Sequence, residues 1–182
     1  MRTAIVSDLH LGVASDEDVL RDPAVRRVLL EEIAGADRVV LLGDVVELRS
    51  LPVGPSLARS RPFFEELGEA VGGVEVILVP GNHDHRLAEP LLDGLSIGGE
   101  EPLGLEHRGA PSPGPAALLD EWLGAARLEI AYPGLWLREG SWFCKSAIRR
   151  NRTKKNLRIP LRRVRARWPP MRAQSITWTK EA

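Results

Sequence analysis

Val74-Glu75-Val76-Ile77-Leu78-Val79-Pro80-Gly81-Asn82-His83-Asp84 joins an apolar run to a cluster of chemically able side chains. Bounded by Gly72-Gly73 and Pro80-Gly81, Val74–Val79 reads as a buried strand. The same arrangement occurs twice upstream. Thr3–Ser7 runs into Asp8-Leu9-His10, and Arg38–Leu42 runs into Gly43-Asp44. Helical patterns lie between. Asp22 suits an N-cap and Pro23 a first helical position, and Val25, Val28, Leu29 and Ile33 then recur at helical spacing, predicting a helix over Pro23–Ala34. Ser60 suits the N-cap of a second helix to Val71, with Phe63, Phe64, Leu67 and Val71 as its apolar stripe. Alternating strands and helices predict an α/β fold of parallel strands with crossover helices. Ligands in such sheets bind beyond the carboxyl ends of the strands, so adjacent strands bring the three clusters to one rim.

The rest reads more coarsely. Residues 47–59, with Pro52, Gly54 and Pro55, read as a loop, and 86–92 as a short helix. Residues 93–115 are rich in Gly and Pro and read as a long surface loop. Ala116–Leu123 reads as a helix, and Leu128–Tyr132 and Leu135–Leu137 as strands around Pro133-Gly134.

The residue types at the rim suit divalent metals. Asp and His ligate Mn, Fe or Zn, and a carboxylate can bridge two ions. Asp8 and His10 can share one ion, Asp44 can bridge, and the amide oxygen of Asn82 can complete a second. Two ions roughly 3.5–4 Å apart can activate a hydroxide for in-line attack on phosphorus. His83 is then free to protonate the leaving oxygen, with Asp84 to orient it. Each residue also has a plain structural reading: Asp8 as a turn cap, Asp44 as a turn acid, Asn82 as the left-handed residue of a tight turn.

Asp8-x-His10, Gly43-Asp44 and Gly81-Asn82-His83-Asp84, in this order, resemble the first three motifs of the calcineurin-like metallophosphoesterase family. The resemblance covers about residues 2–140. It implies a layered α-β-β-α sandwich that hydrolyses phosphomonoesters or phosphodiesters with two metal ions. It further implies Asp8 and His10 on the first metal, Asp44 as the bridge, Asn82 on the second metal, and His83 at the phosphate or as acid. Glu47 fills the place of an acid that the family commonly carries three residues after its Gly-Asp.

The family pattern continues with a later His and a Gly-His-x-His segment. Neither is present: the four histidines are His10, His83, His85 and His107, and neither of the last two follows a Gly. His85 reads as exposed or outside the ligand set, and His107 as a solvated loop residue. The break coincides with a change of composition. The 182 residues carry 25 basic and 25 acidic side chains. Residues 1–140 hold 12 Arg, no Lys and 24 acids, whereas 141–182 hold 13 basic residues and one acid. We read 1–140 as the phosphoesterase domain, incomplete at its C-terminal side. Residues 141–182 read as a basic tail, disordered or arising from a change of reading frame near residue 140.

That tail leaves a second function open. Its basic residues with Trp142, Trp168 and Trp178 suit nucleic acid, through phosphate contacts and stacking, or an anionic membrane surface. The alternatives are therefore a metal-dependent phosphoesterase acting on a small phosphoester, and an inactive remnant or non-catalytic binding protein. Cys144 is the only cysteine, which excludes a disulfide scaffold and a cysteine-built zinc knuckle. No apolar run reaches the length of a membrane span, and Asp8 interrupts any signal-peptide core, so a cytoplasmic protein is expected.

Overall fold

A computed structural model describes residues 1–15, 17–98, 107–132 and 141–145. In chain order the elements are β1 (Thr3–Ser7), α1 (Pro23–Ile33), β2 (Arg38–Leu42), α2 (Val53–Val71), β3 (Glu75–Val79), α3 (Glu89–Gly98), β4 (Arg108–Gly109), α4 (Pro115–Leu123), β5 (Arg127–Ala131) and β6 (Ser141–Lys145). The strands form one six-stranded sheet in the order β4-β5-β3-β2-β1-β6. All neighbours are parallel except the short β4, which runs antiparallel to β5. In register, Val6 pairs with Leu41 and Leu41 with Leu78, so the ends of β1, β2 and β3 lie side by side. The α/β class, the parallel core and the predicted rim are as the sequence implies.

The central residues of β1, β2 and β3 are apolar and buried on both faces, as is usual for parallel sheets. Val6, Val39, Leu41, Val76, Leu78, Leu128 and Ile130 share one core with α1, α2 and α4, which supply Leu29, Ile33, Phe63, Phe64, Leu67, Leu119 and Leu123. A fully buried side chain such as Phe64 or Leu67 contributes roughly 1.5–3 kcal/mol. On the opposite face Ile5, Val40, Ile77, Val79 and Ala131 form a second buried cluster. Among the described residues there is one sheet.

Two contacts fix the helical layer. A Cβ at Gly68 of α2 would stand 2.2 Å from the carbonyl oxygen of Leu123, so α2 and α4 meet backbone to backbone. Arg26 of α1, buried, forms a two-pronged ion pair with Glu66 of α2 and donates to the Leu20 carbonyl at 2.7 Å.

Several boundaries differ from the sequence reading. Helix α2 starts at Val53, inside the expected loop, and Ser60 is not its N-cap. The Ser60 hydroxyl instead donates to the Ser56 carbonyl, one turn back, at 2.9 Å. Gly54 and Pro55 look like loop residues, but proline is tolerated in a helix's first turn, where its missing N–H has no intrahelical partner. Helix α3 likewise extends six residues into the expected 93–115 loop. Strand β6 continues the sheet five residues into the segment read as a tail, pairing with β1 from Thr3↔Ser141 to Ser7↔Lys145. Ser-Trp-Phe-Cys-Lys holds no Pro or Gly and two aromatics, which suits a strand despite the basic surroundings. The strand expected at Leu135–Leu137 and residues 146–182 lie outside the described residues.

Candidate metal centre

Three loops leave the carboxyl ends of β1, β2 and β3, and main-chain hydrogen bonds stitch them together. Asp8 N–H donates to Gly43 at 3.1 Å, His10 to Asp44 at 2.9 Å, and Leu11 to Val45 at 2.9 Å. Gly43 N–H donates to Val79 at 2.7 Å, and Leu48 to His83 at 3.2 Å. Asp8, His10 and Asp44 all adopt left-handed backbone, with φ of 55°, 47° and 52°. That conformation costs a non-glycine residue of order 1–3 kcal/mol and persists only where the surroundings enforce it. These are the three residues assigned to the first ion, and their side-chain donor atoms lie within 4.8 Å of one another. Two carboxylates and an imidazole at that spacing fit a divalent ion such as Mn, Fe or Zn.

The site is packed closely enough to need glycine. A Cβ at Gly81 would fall 2.4 Å from Asp44 Oδ1. With that space open, His83 N–H donates to Asp44 Oδ1 at 2.9 Å. Asn82, the expected ligand of a second ion, is exposed on the same turn.

A residue that sequence reasoning named but did not place in the site lies beneath it. Glu47 is buried, and its Oε1 accepts the Arg49 and Ser50 N–H groups at 2.9 and 3.1 Å. Its Oε2 faces His83 Nδ1 at 2.6 Å and His10 Nδ1 at 3.3 Å. The two rings meet edge to face with centroids 4.7 Å apart. Burial pushes the Glu47 carboxyl up, but the Arg49 amide and the two imidazoles outweigh it and hold the carboxyl below its ordinary value. Its position three residues past Gly43-Asp44 was the available signal. What brings it inward is the bridge between Leu11 and Val46, with Glu47 N–H donating to Leu11 at 2.8 Å.

Asp84 departs from expectation. It does not orient His83, because its carboxylate is spent on main-chain amides. Oδ1 accepts from Gly81 at 2.6 Å, and Oδ2 accepts from Val45 and Val46 at 2.7 and 3.3 Å. Asp84 is fully buried, and burial raises its pKa against the pull of those bonds. It ties the β2 and β3 loops together, and Glu47 takes the place at His83. His85 is exposed and pairs with Glu89 at 3.2 Å. His107 is half-buried, and its carbonyl accepts the Tyr132 N–H at 3.0 Å.

The profile of the calcineurin-like phosphoesterase family matches residues 1–161. The chain belongs to that family. Calcineurin-like phosphoesterases typically bind divalent metals, and membership supports the hydrolase class and a metal-dependent reaction on phosphoesters. Among curated proteins, the DNA polymerase II small subunit of Halobacterium salinarum is similar, in strains R1 and NRC-1 alike. Each is 30% identical over 107 residues, covering 50% of this chain and 20% of the relative. The chain thus spans about a fifth of the length of these relatives. No solved structure matches it. Among the described residues no helix is long and apolar enough to cross a membrane.

Proposed function

We propose that the chain hydrolyses a phosphomonoester or phosphodiester with a pair of divalent metal ions. Asp8, His10 and Asp44 would hold the first ion, and Asp44 with Asn82 the second. When bound, the ions would supply an activated hydroxide for attack on phosphorus. His83 protonates the leaving oxygen, with Glu47 holding its Nδ1 so that Nε2 faces outward. The observation that carries this reading is the convergence of Asp8, His10 and Asp44, donor atoms within 4.8 Å, from the ends of two adjacent parallel strands.

The test is hydrolysis of bis(p-nitrophenyl) phosphate by the full chain in excess Mn²⁺. Activity should disappear in Asp44→Ala and fall by a factor of about 10²–10⁴ in His83→Ala. Hydrolysis no higher in the wild type than in Asp44→Ala rules the reading out and leaves a non-catalytic binding protein. The Halobacterium relative is a DNA polymerase subunit, which favours nucleic-acid phosphodiesters as the substrate class to try first.

A further inference from the structure

The described residues contain two overlapping sets of metal donors, and the proposed reaction draws its ion-binding residues from one of them. The second is His10, Glu47 and His83, whose donor atoms also lie within 4.8 Å of one another. We propose that this triad is an alternative, zinc-preferring site, and that an ion there withdraws His83 from the reaction. The inference rests on the phosphoesterase reading for its consequence, but not for its geometry.

The donor chemistry separates the two sets. Asp8, His10 and Asp44 offer two carboxylates and one imidazole, a hard set suited to manganese. His10, Glu47 and His83 offer two imidazoles and one carboxylate, a combination that binds catalytic zinc with a fourth position left open. The second set is already aimed. Both Nδ1 atoms point at the same Glu47 oxygen, at 2.6 and 3.3 Å. With zinc–donor bonds of about 2.0–2.2 Å, neighbouring tetrahedral donors stand roughly 3.4 Å apart. Bringing both Glu47 contacts to that spacing opens the shorter one by less than about 1 Å. The other Glu47 oxygen stays on the Arg49 and Ser50 amides, the supporting bond that a ligating carboxylate usually has.

Occupation changes the chemistry in two ways. An imidazole that ligates through Nδ1 gives up its hydrogen bond to Glu47 and cannot be the imidazolium that delivers a proton. The two sets also share His10, so zinc in the second weakens the first. Zinc binds N/O sites more tightly than manganese does, and its advantage is larger on the set with two imidazoles.

Calorimetric titration of the full chain with ZnCl₂ and with MnCl₂ tests the assignment, and it needs no catalytic activity. His83→Gln and His83→Asn should each weaken zinc by at least about tenfold and leave manganese within about twofold. Asp44→Asn should do the reverse. Zinc affinity unchanged in both His83 variants overturns the proposal, as does Asp44→Asn weakening zinc as much as manganese. In the Mn²⁺-loaded chain, zinc should inhibit bis(p-nitrophenyl) phosphate hydrolysis near its own binding constant. Full activity at saturating zinc removes the inhibitory role. Absence of any Mn²⁺-dependent hydrolysis, by contrast, counts against the phosphoesterase reading and leaves the zinc titrations to be judged alone.

Discussion

At the scale of single residues, the buried acids Glu47 and Asp84 do different work. Glu47 faces two imidazoles, whereas Asp84 accepts three main-chain amides. Asp84→Asn should therefore be a stability variant. The amide keeps one acceptor oxygen and sets an NH₂ against the donors on the other side, stranding at least one buried N–H. A loss of about 2–3 kcal/mol is expected, read as a lower melting temperature with catalysis and metal affinity falling only in step. Lost hydrolysis at unchanged melting temperature would return Asp84 to the reaction. The sequence makes the motif residues legible because Asp-x-His, Gly-Asp and Gly-Asn-His-Asp each sit at the end of an apolar run. It does not tell Glu47 from Asp84. Which acid reaches the histidines depends on the Leu11–Val46 bridge and on Gly81 lying against Asp44, and these are tertiary facts.

Among the elements, the strands are the legible part. Parallel strands buried on both faces have apolar interiors, so β1 and β2 coincide with the expected runs Thr3–Ser7 and Arg38–Leu42. Helix starts are harder, because proline and glycine mark both a loop and a first helical turn, as at Gly54 and Pro55. The α1–α2 contact makes a pH prediction. Arg26 and Glu66 shift in opposite directions, the guanidinium up and the carboxyl down, chiefly through the hydrogen bond between them. A carboxyl whose folded pKa is lowered stabilises the fold above its unfolded pKa of about 4.3, and that contribution is lost as pH falls through the folded value. Glu66→Gln should therefore unfold more readily than the wild type at pH 7, and the two should converge as pH drops below about 4. Urea midpoints at pH 7, 5 and 3 give the comparison. A difference that stays constant across this range would show that the bond holds the helices without its charge. Glu66 is partly exposed, so screening keeps the neutral-pH difference small.

For the whole molecule, the net charge of zero conceals opposed halves. The first 140 residues carry 24 acids against 12 arginines, and the last 42 carry 13 basic residues against one acid. The boundary in composition is not a boundary in the sheet, since β6 pairs with β1 at 141–145 and the family match runs to residue 161. Charge thus does not mark an edge of the sheet. A basic segment that holds single-stranded nucleic acid through its phosphates gives salt-dependent binding. Each cation that meets a phosphate of a single strand adds about 0.7 to the slope of log affinity against log salt. Replacing Arg162, Arg163, Arg165 and Arg167 by Ser should lower that slope by up to about 3, at little cost to the hydrolysis of a small chromogenic ester. Fluorescence anisotropy with a labelled oligonucleotide, from low to physiological salt, measures it. If the slope is the same in the variant, those arginines meet no phosphate. If the wild type binds without salt dependence, contact is not through the backbone at all, and the phosphoesterase site must then find its substrate without help from the basic segment.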